Sequence, residues 1–161
     1  MNTLLPSPLT FHLPRDEQGR YWVKRIATHC RPHIDECFCL WLLRHEPARK
    51  LFVGTASAPL EFWGSGRGTP DGRTIAEHER EGMLVIGLGS SAFDEHPLRG
   101  LHPHRHTSAA SVLAQALGIA DDPVYQPLLE EIALHDSGKL PSDLATMVKL
   151  LHEEFPNEPR R

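Results

Sequence analysis

Aromatic residues are scarce in this 161-residue chain, at 7%, and neither charge sign dominates: 17 Lys and Arg stand against 21 Asp and Glu, for a net charge of −4. The near balance argues against a strongly basic coat for nucleic acid or membrane, although it allows a local basic groove. Cysteine is sparse too. Cys30, Cys37 and Cys39 are an odd number crowded into one short stretch without C-x-x-C spacing. That excludes a disulfide framework and a zinc knot and reads as reduced thiols. No apolar run approaches the ~20 residues of a membrane span. Residues 1–14 lack a cationic start followed by an apolar stretch, so the chain reads as cytoplasmic, without a membrane partner. Internal repeats and low-complexity tracts are missing as well.

Histidine is plentiful, with 11 copies, and 14 prolines are spread through the connections. A hydrophobic fraction of 40% supports a packed core, and the length fits one domain. We take residues 1–20 as an N-terminal arm and residues 21–161 as a single domain. Residues 20–28 (RYWVKRIAT) carry the β-branched and aromatic content of a strand. Pro32 interrupts, and the apolar spacing then predicts a helix over 34–45 that Pro47 ends. A short strand follows at 50–55 (KLFVGT). The Gly-rich stretch to residue 82 reads as a long loop holding a short helix at 74–81, and its glycines at 64–72 lack the Lys-Ser/Thr ending of a phosphate-binding loop. Residues 83–89 (MLVIGLG) form a continuous apolar run, the mark of a strand buried on both faces. Helices are predicted over 107–117, capped by Thr107 or Ser108, over 123–135, and over 142–155, capped by Ser142. Strands alternating with helices in this way predict an α/β fold, a mainly parallel sheet flanked by helices.

In such a sheet, ligands gather at the carboxyl ends of the strands. The first strand-to-helix junction carries His29, His33 and Asp35. The apolar run is followed by Asp94, Glu95 and His96, with His102, His104 and His106 close behind. The helix from residue 123 ends in His135 and Asp136. Imidazole nitrogen with carboxylate oxygen is the donor set expected for Mn, Fe or Zn. Carboxylates buried without a cation would carry a heavy desolvation penalty. The alternative reading is a solvated His-rich face. Cys30 sits in the same junction, and His78 on the Gly-rich stretch is placed to reach the site as an extra ligand.

Thr28-His29-Cys30-Arg31-Pro32-His33-Ile34-Asp35-Glu36 resembles the first motif of the DHH phosphoesterase superfamily, where a strand ends in T-H-x-x-P-D-x-D and a helix begins. The Myg-type exonuclease branch, with T-H-x-x-x-H-x-D, is the nearer likeness. Phe93-Asp94-Glu95-His96 resembles that branch's Asp-His-His signature. His106-Thr107-Ser108-Ala109-Ala110 is similar to the start of its next helix, and residues 133–138 (ALHDSG) to its closing Asp-x-Gly segment. The likeness spans about residues 22–140.

The resemblance implies a DHH-like fold and metal-dependent hydrolysis of phosphodiester or phosphoanhydride bonds in a nucleotide or short oligonucleotide. It implies His29, His33, Asp35, Asp94 and Asp136 as ligands of one or two divalent cations, Mn first, with Mg, Fe or Zn as alternatives. His96 becomes a ligand or phosphate contact. Glu95, standing where the branch has its first His, becomes a ligand or general base. Arg31, His106 and Lys139 become contacts for substrate phosphate. The family's bridging Asp aligns with Gly87, and residues 85–89 (VIGLG) offer no carboxylate, which points to one cation or an altered reaction. The sequence ends soon after the fourth motif, without the separate substrate-binding domain of the superfamily. That implies a small substrate, a homodimer or a partner protein that supplies substrate binding.

Two other readings compete. Residues 134–139 (LHDSGK) resemble the L-H-D-x-G-K turn of HD-type phosphohydrolases, whose domains are all-helical. The missing carboxylate at Gly87 also suits a non-catalytic metal- or nucleotide-binding protein.

Overall fold

The computed structural model describes residues 11–64, 69–89, 91–94 and 107–155. The RYWVKRIAT run forms two strands, β1 (Tyr21–Trp22) and β2 (Arg25–His29), where the sequence predicts one. The break falls where the chain changes partner. Val23 N–H donates to the carbonyl of Val53, whereas the N–H groups of Lys24 and Arg25 both donate to the carbonyl of Gly82, at 2.7 and 3.3 Å. β1 thus pairs in parallel with β3 (Phe52–Val53). β2 becomes the centre of a parallel three-stranded sheet ordered β4-β2-β5, with β4 at Leu60–Trp63 and β5 at Met83–Val85. β4 lies in the stretch read as a loop. It has four residues, three of them only half-buried, so Pro59 and Gly64 on either side outweigh its apolar signal.

Because every strand of the sheet runs the same way, their carboxyl ends share one edge. Alternation along the strands divides the core between two faces. Ile26, Leu84 and Ile86 face the larger cluster, with Phe38 and Leu42, Leu113, and Ile132. These come from α1 (Ile34–Arg44), α3 (Ala109–Ala116) and α4 (Gln126–Asp136). Ala27, Met83 and Val85 face the smaller one, with Trp63, Leu88 and Ile75, the last from α2 (Ile75–Arg80). Each large apolar side chain so buried contributes about 1.5–3 kcal/mol. The last helix, α5 (Asp143–Glu154), lays Ala145 and Val148 on the core and leaves Leu144, Met147, Leu150 and Leu151 exposed.

Local chemistry fixes the helix starts. Ser108 and Ser142 each accept the backbone N–H three residues on, at 3.2 Å. Thr74 and Glu77 close a reciprocal capping box on α2. Phe11 meets Tyr21, Phe52 and Phe93 at ring-centroid distances of 4.7, 6.0 and 5.1 Å, which docks the described part of the N-terminal arm on the core.

Burial also governs Glu79, whose carboxyl is pushed above its ordinary 4.5 despite accepting the N–H of His12. A raised acid binds its proton more tightly folded than unfolded, so its contribution is fully present below the unfolded value and lost as pH rises through the folded one. Glu79→Gln should therefore flatten the decline in melting temperature between pH 4.5 and neutrality. A thermal melt series of both proteins over that range checks it.

Candidate metal centre

β2 ends at His29, and a four-residue turn leads into α1. Pro32 keeps the chain out of the helix before His33, which takes the N-cap position with extended backbone angles. The turn is held from two sides. The carbonyl of Pro32 accepts His152 Nε2–H from α5 at 2.8 Å, and the Cys37 thiol at 3.7 Å. Asp35 and Glu36 then fall in the first turn of α1, where the helix dipole favours negative charge.

Glu36 faces inward. Its Oε2 accepts the backbone N–H of His33 at 2.7 Å. Its Oε1 lies 3.7 Å from His29 Nε2, and the His29 and His33 rings stack with centroids 6.0 Å apart. Asp35 is 2% exposed and Glu36 4%. Donor atoms of His33, Asp35 and Glu36 lie within 4.8 Å of one another. Burial, the neighbouring Asp35 charge and a hydrogen bond shared with Asp35 push the Glu36 carboxyl up to about 9. Asp35 Oδ1 is fully buried and has no hydrogen-bond partner. An orphan carboxylate oxygen beside a second buried carboxyl group and an imidazole is the donor chemistry a divalent cation satisfies. The residues present therefore fit the ion.

The predicted ligands are distributed as follows. His33 and Asp35 belong to the close group, and His29 borders it through Glu36. Asp94 is buried beside the carboxyl edge of the sheet, because Phe93 bridges Ile86 and accepts the N–H of Gly87 at 3.1 Å. Asp136 closes α4. Among the described residues, neither joins His33, Asp35 and Glu36 in the close group. Arg31 and Lys139, taken as phosphate contacts, are exposed. Glu95, His96 and His106 lie outside the described residues, as do His102 and His104.

His78 is not poised above the site. It is buried in α2, with Nε2 3.1 Å from Asp71 Oδ1 and its ring 5.0 Å from that of Trp63. None of the three cysteines forms a disulfide. Burial, with Glu36 and Asp35 adding to it, pushes the Cys37 thiol up to about 12, far from a reactive thiolate.

Glu36 is the residue that reading the sequence left out of the ligand set. Its signal was present. A Glu three residues after the N-cap reaches back to that residue's N–H, and here the reach carries its other oxygen to the His29 side. No protein-family model, curated protein or solved structure matches the chain. No helix among the described residues is long and apolar enough to cross a membrane.

Proposed function

We propose that this protein is a metal-dependent hydrolase of phosphodiester or phosphoanhydride bonds, acting on a nucleotide or short oligonucleotide. The observation that supports its metal-site part is the unpartnered Asp35 Oδ1, buried beside Glu36 and His33 at the carboxyl end of a parallel sheet; the phosphate-bond chemistry rests on the likeness of residues 28–36 to the DHH motif. Asp35, Glu36 and His33 would hold one divalent cation; the likeness to the DHH motif makes Mn the first choice, and a mixed nitrogen and oxygen set also suits Mg, Fe or Zn. When bound, such a cation lowers the pKa of water and neutralises phosphate oxygens.

The chain's own groups do the rest. The amino end of α1 directs backbone N–H groups and a positive dipole end toward an anionic substrate. The carboxyls of Asp35 and Glu36 are buried, whereas the His33 side chain is 72% exposed. His33 therefore lies at the mouth, where substrate enters. His152 steadies the turn through Pro32. Asp94, next to the Phe93 that bridges Ile86, is the proposed further ligand. Glu95 and His96, following it in sequence, are the proposed general base and phosphate contact.

The parallel sheet favours this reading over the HD-type one, which is built of helices alone. His135, the key residue of that alternative, has Nδ1 3.2 Å from the carbonyl of Leu140 at the end of α4. The test is metal content of the purified protein, followed by release of phosphate or nucleoside monophosphate from dinucleotides, short oligonucleotides and pyrophosphate with Mn²⁺ added. We expect turnover that chelator abolishes, and His135→Ala is expected to leave it unchanged. Bound metal without turnover would favour a non-catalytic binding protein, and loss of metal in His135→Ala would favour the HD-type site.

A further inference from the structure

The sheet edge beside Glu36 carries a second oddity. Gly87 is buried, with φ +66. A Cβ built on it would meet Glu36 Oε1 at 2.5 Å, Cγ at 2.9 Å and Cδ at 3.1 Å. Contacts that short do not occur between real side chains, so any residue other than glycine displaces the Glu36 carboxyl. Continuing the β2–β5 register, in which Ala27 faces Val85, places Gly87 level with His29. The Glu36 carboxyl is thus held with Oε2 on the His33 N–H and Oε1 in the space a Gly87 Cβ would take.

We infer that Glu36 is a cation ligand that enters from α1 into the space a side chain at position 87 would fill, and that Gly87 is glycine because it must leave that space open. This rests on the metal-site reading above. The position where the sequence lacks a strand-end carboxylate is the position a helix carboxylate occupies. The Glu36 carboxyl stands in the space that a Gly87 side chain would need. Gly87 acts as a positioning residue: it touches no cation and decides where Glu36 stands.

The two roles can be exchanged experimentally. Asp tolerates the left-handed backbone region better than most residues, so Gly87→Asp is compatible with φ +66 once Glu36 is removed. Mn²⁺ binding is to be measured by calorimetry for the full chain, Glu36→Ala, Gly87→Asp and the double variant Glu36→Ala/Gly87→Asp. Losing outer-shell support of a metal ligand typically weakens affinity by about 10–100-fold. Each single variant should lose at least that much, while the double variant recovers to within about tenfold of the parent. Glu36→Ala binding Mn²⁺ as tightly as the parent, or a folded double variant binding no better than Glu36→Ala, would overturn the inference.

Should Gly87→Asp or the double variant fail to fold, melts without metal decide on Gly87→Ala. Its drop in melting temperature should shrink when Glu36→Ala is added, and equal drops in the two backgrounds would overturn the exchange. A parent that binds no Mn²⁺, Mg²⁺, Fe²⁺ or Zn²⁺ overturns both the metal-site reading and the ligand role. Coupling in the metal-free melts would then still register the contact between the two residues, so the two failures can be told apart.

Discussion

Asp35→Asn is expected to abolish Mn²⁺ binding and phosphoester hydrolysis while making the metal-free protein harder to melt. The two effects have opposite signs because the same atom serves opposite ends. Asp35 Oδ1 is buried without a partner, and a carboxylate loses far more hydration on burial than a neutral amide does. A buried unsatisfied polar group costs about 1–3 kcal/mol. Relieving the charged part of that penalty should add about 1 kcal/mol, or roughly 2–4 °C in melting temperature for a chain of this size. Mn²⁺ affinity should fall at least 100-fold, more than the ~10–100-fold typical of outer-shell changes. Residues assembled to bind and react are often the ones that destabilise the fold. A variant that melts lower and still binds Mn²⁺ would mark Asp35 as a packing residue.

The second large effect is stabilisation by the cation. A ligand that binds only the native state at 100 times its dissociation constant adds about 2.7 kcal/mol, which for this length is roughly 5–10 °C. Saturating Mn²⁺ should produce that shift in the parent protein, and excess chelator should reverse it. Asp35→Asn should show none. Differential scanning calorimetry of the two proteins with and without Mn²⁺ gives the comparison directly, and an equal shift in both would place binding elsewhere on the surface.

The parts of the fold that could be read from sequence are those with an unambiguous period. The apolar run that contains β5, the caps Ser108 and Ser142, the short helix from Thr74 and the spacing of α1 all carry local signals that tertiary packing does not override. β4 escaped because a four-residue strand between Pro59 and Gly64 gains its identity from the neighbour it pairs with, β2, and not from its own residues. The division of RYWVKRIAT into β1 and β2 has the same origin, since the exchange of partner at Lys24 is a long-range event.

The site divides similarly. His33 and Asp35 were visible as part of a compact motif after a strand. Glu36 was not singled out, because its role depends on Gly87, 51 positions later in the chain, standing aside to admit it. That position 87 has no side chain could be seen in the sequence, but the carboxyl that fills the space beside it required the two segments to be seen together. His78 shows the reverse. A histidine on a Gly-rich stretch invites the role of an extra ligand, yet Asp71 and Trp63 engage it beside the other sheet face.

The central claim is that His33, Asp35 and Glu36 surround one cation. Anomalous diffraction from crystals of the parent protein soaked in Mn²⁺ tests it most directly. The account predicts a single anomalous peak in contact with the Asp35 and Glu36 carboxylates and the His33 imidazole. An ion-free site at saturating Mn²⁺, or a peak bound by other residues with these three unchanged, would contradict it.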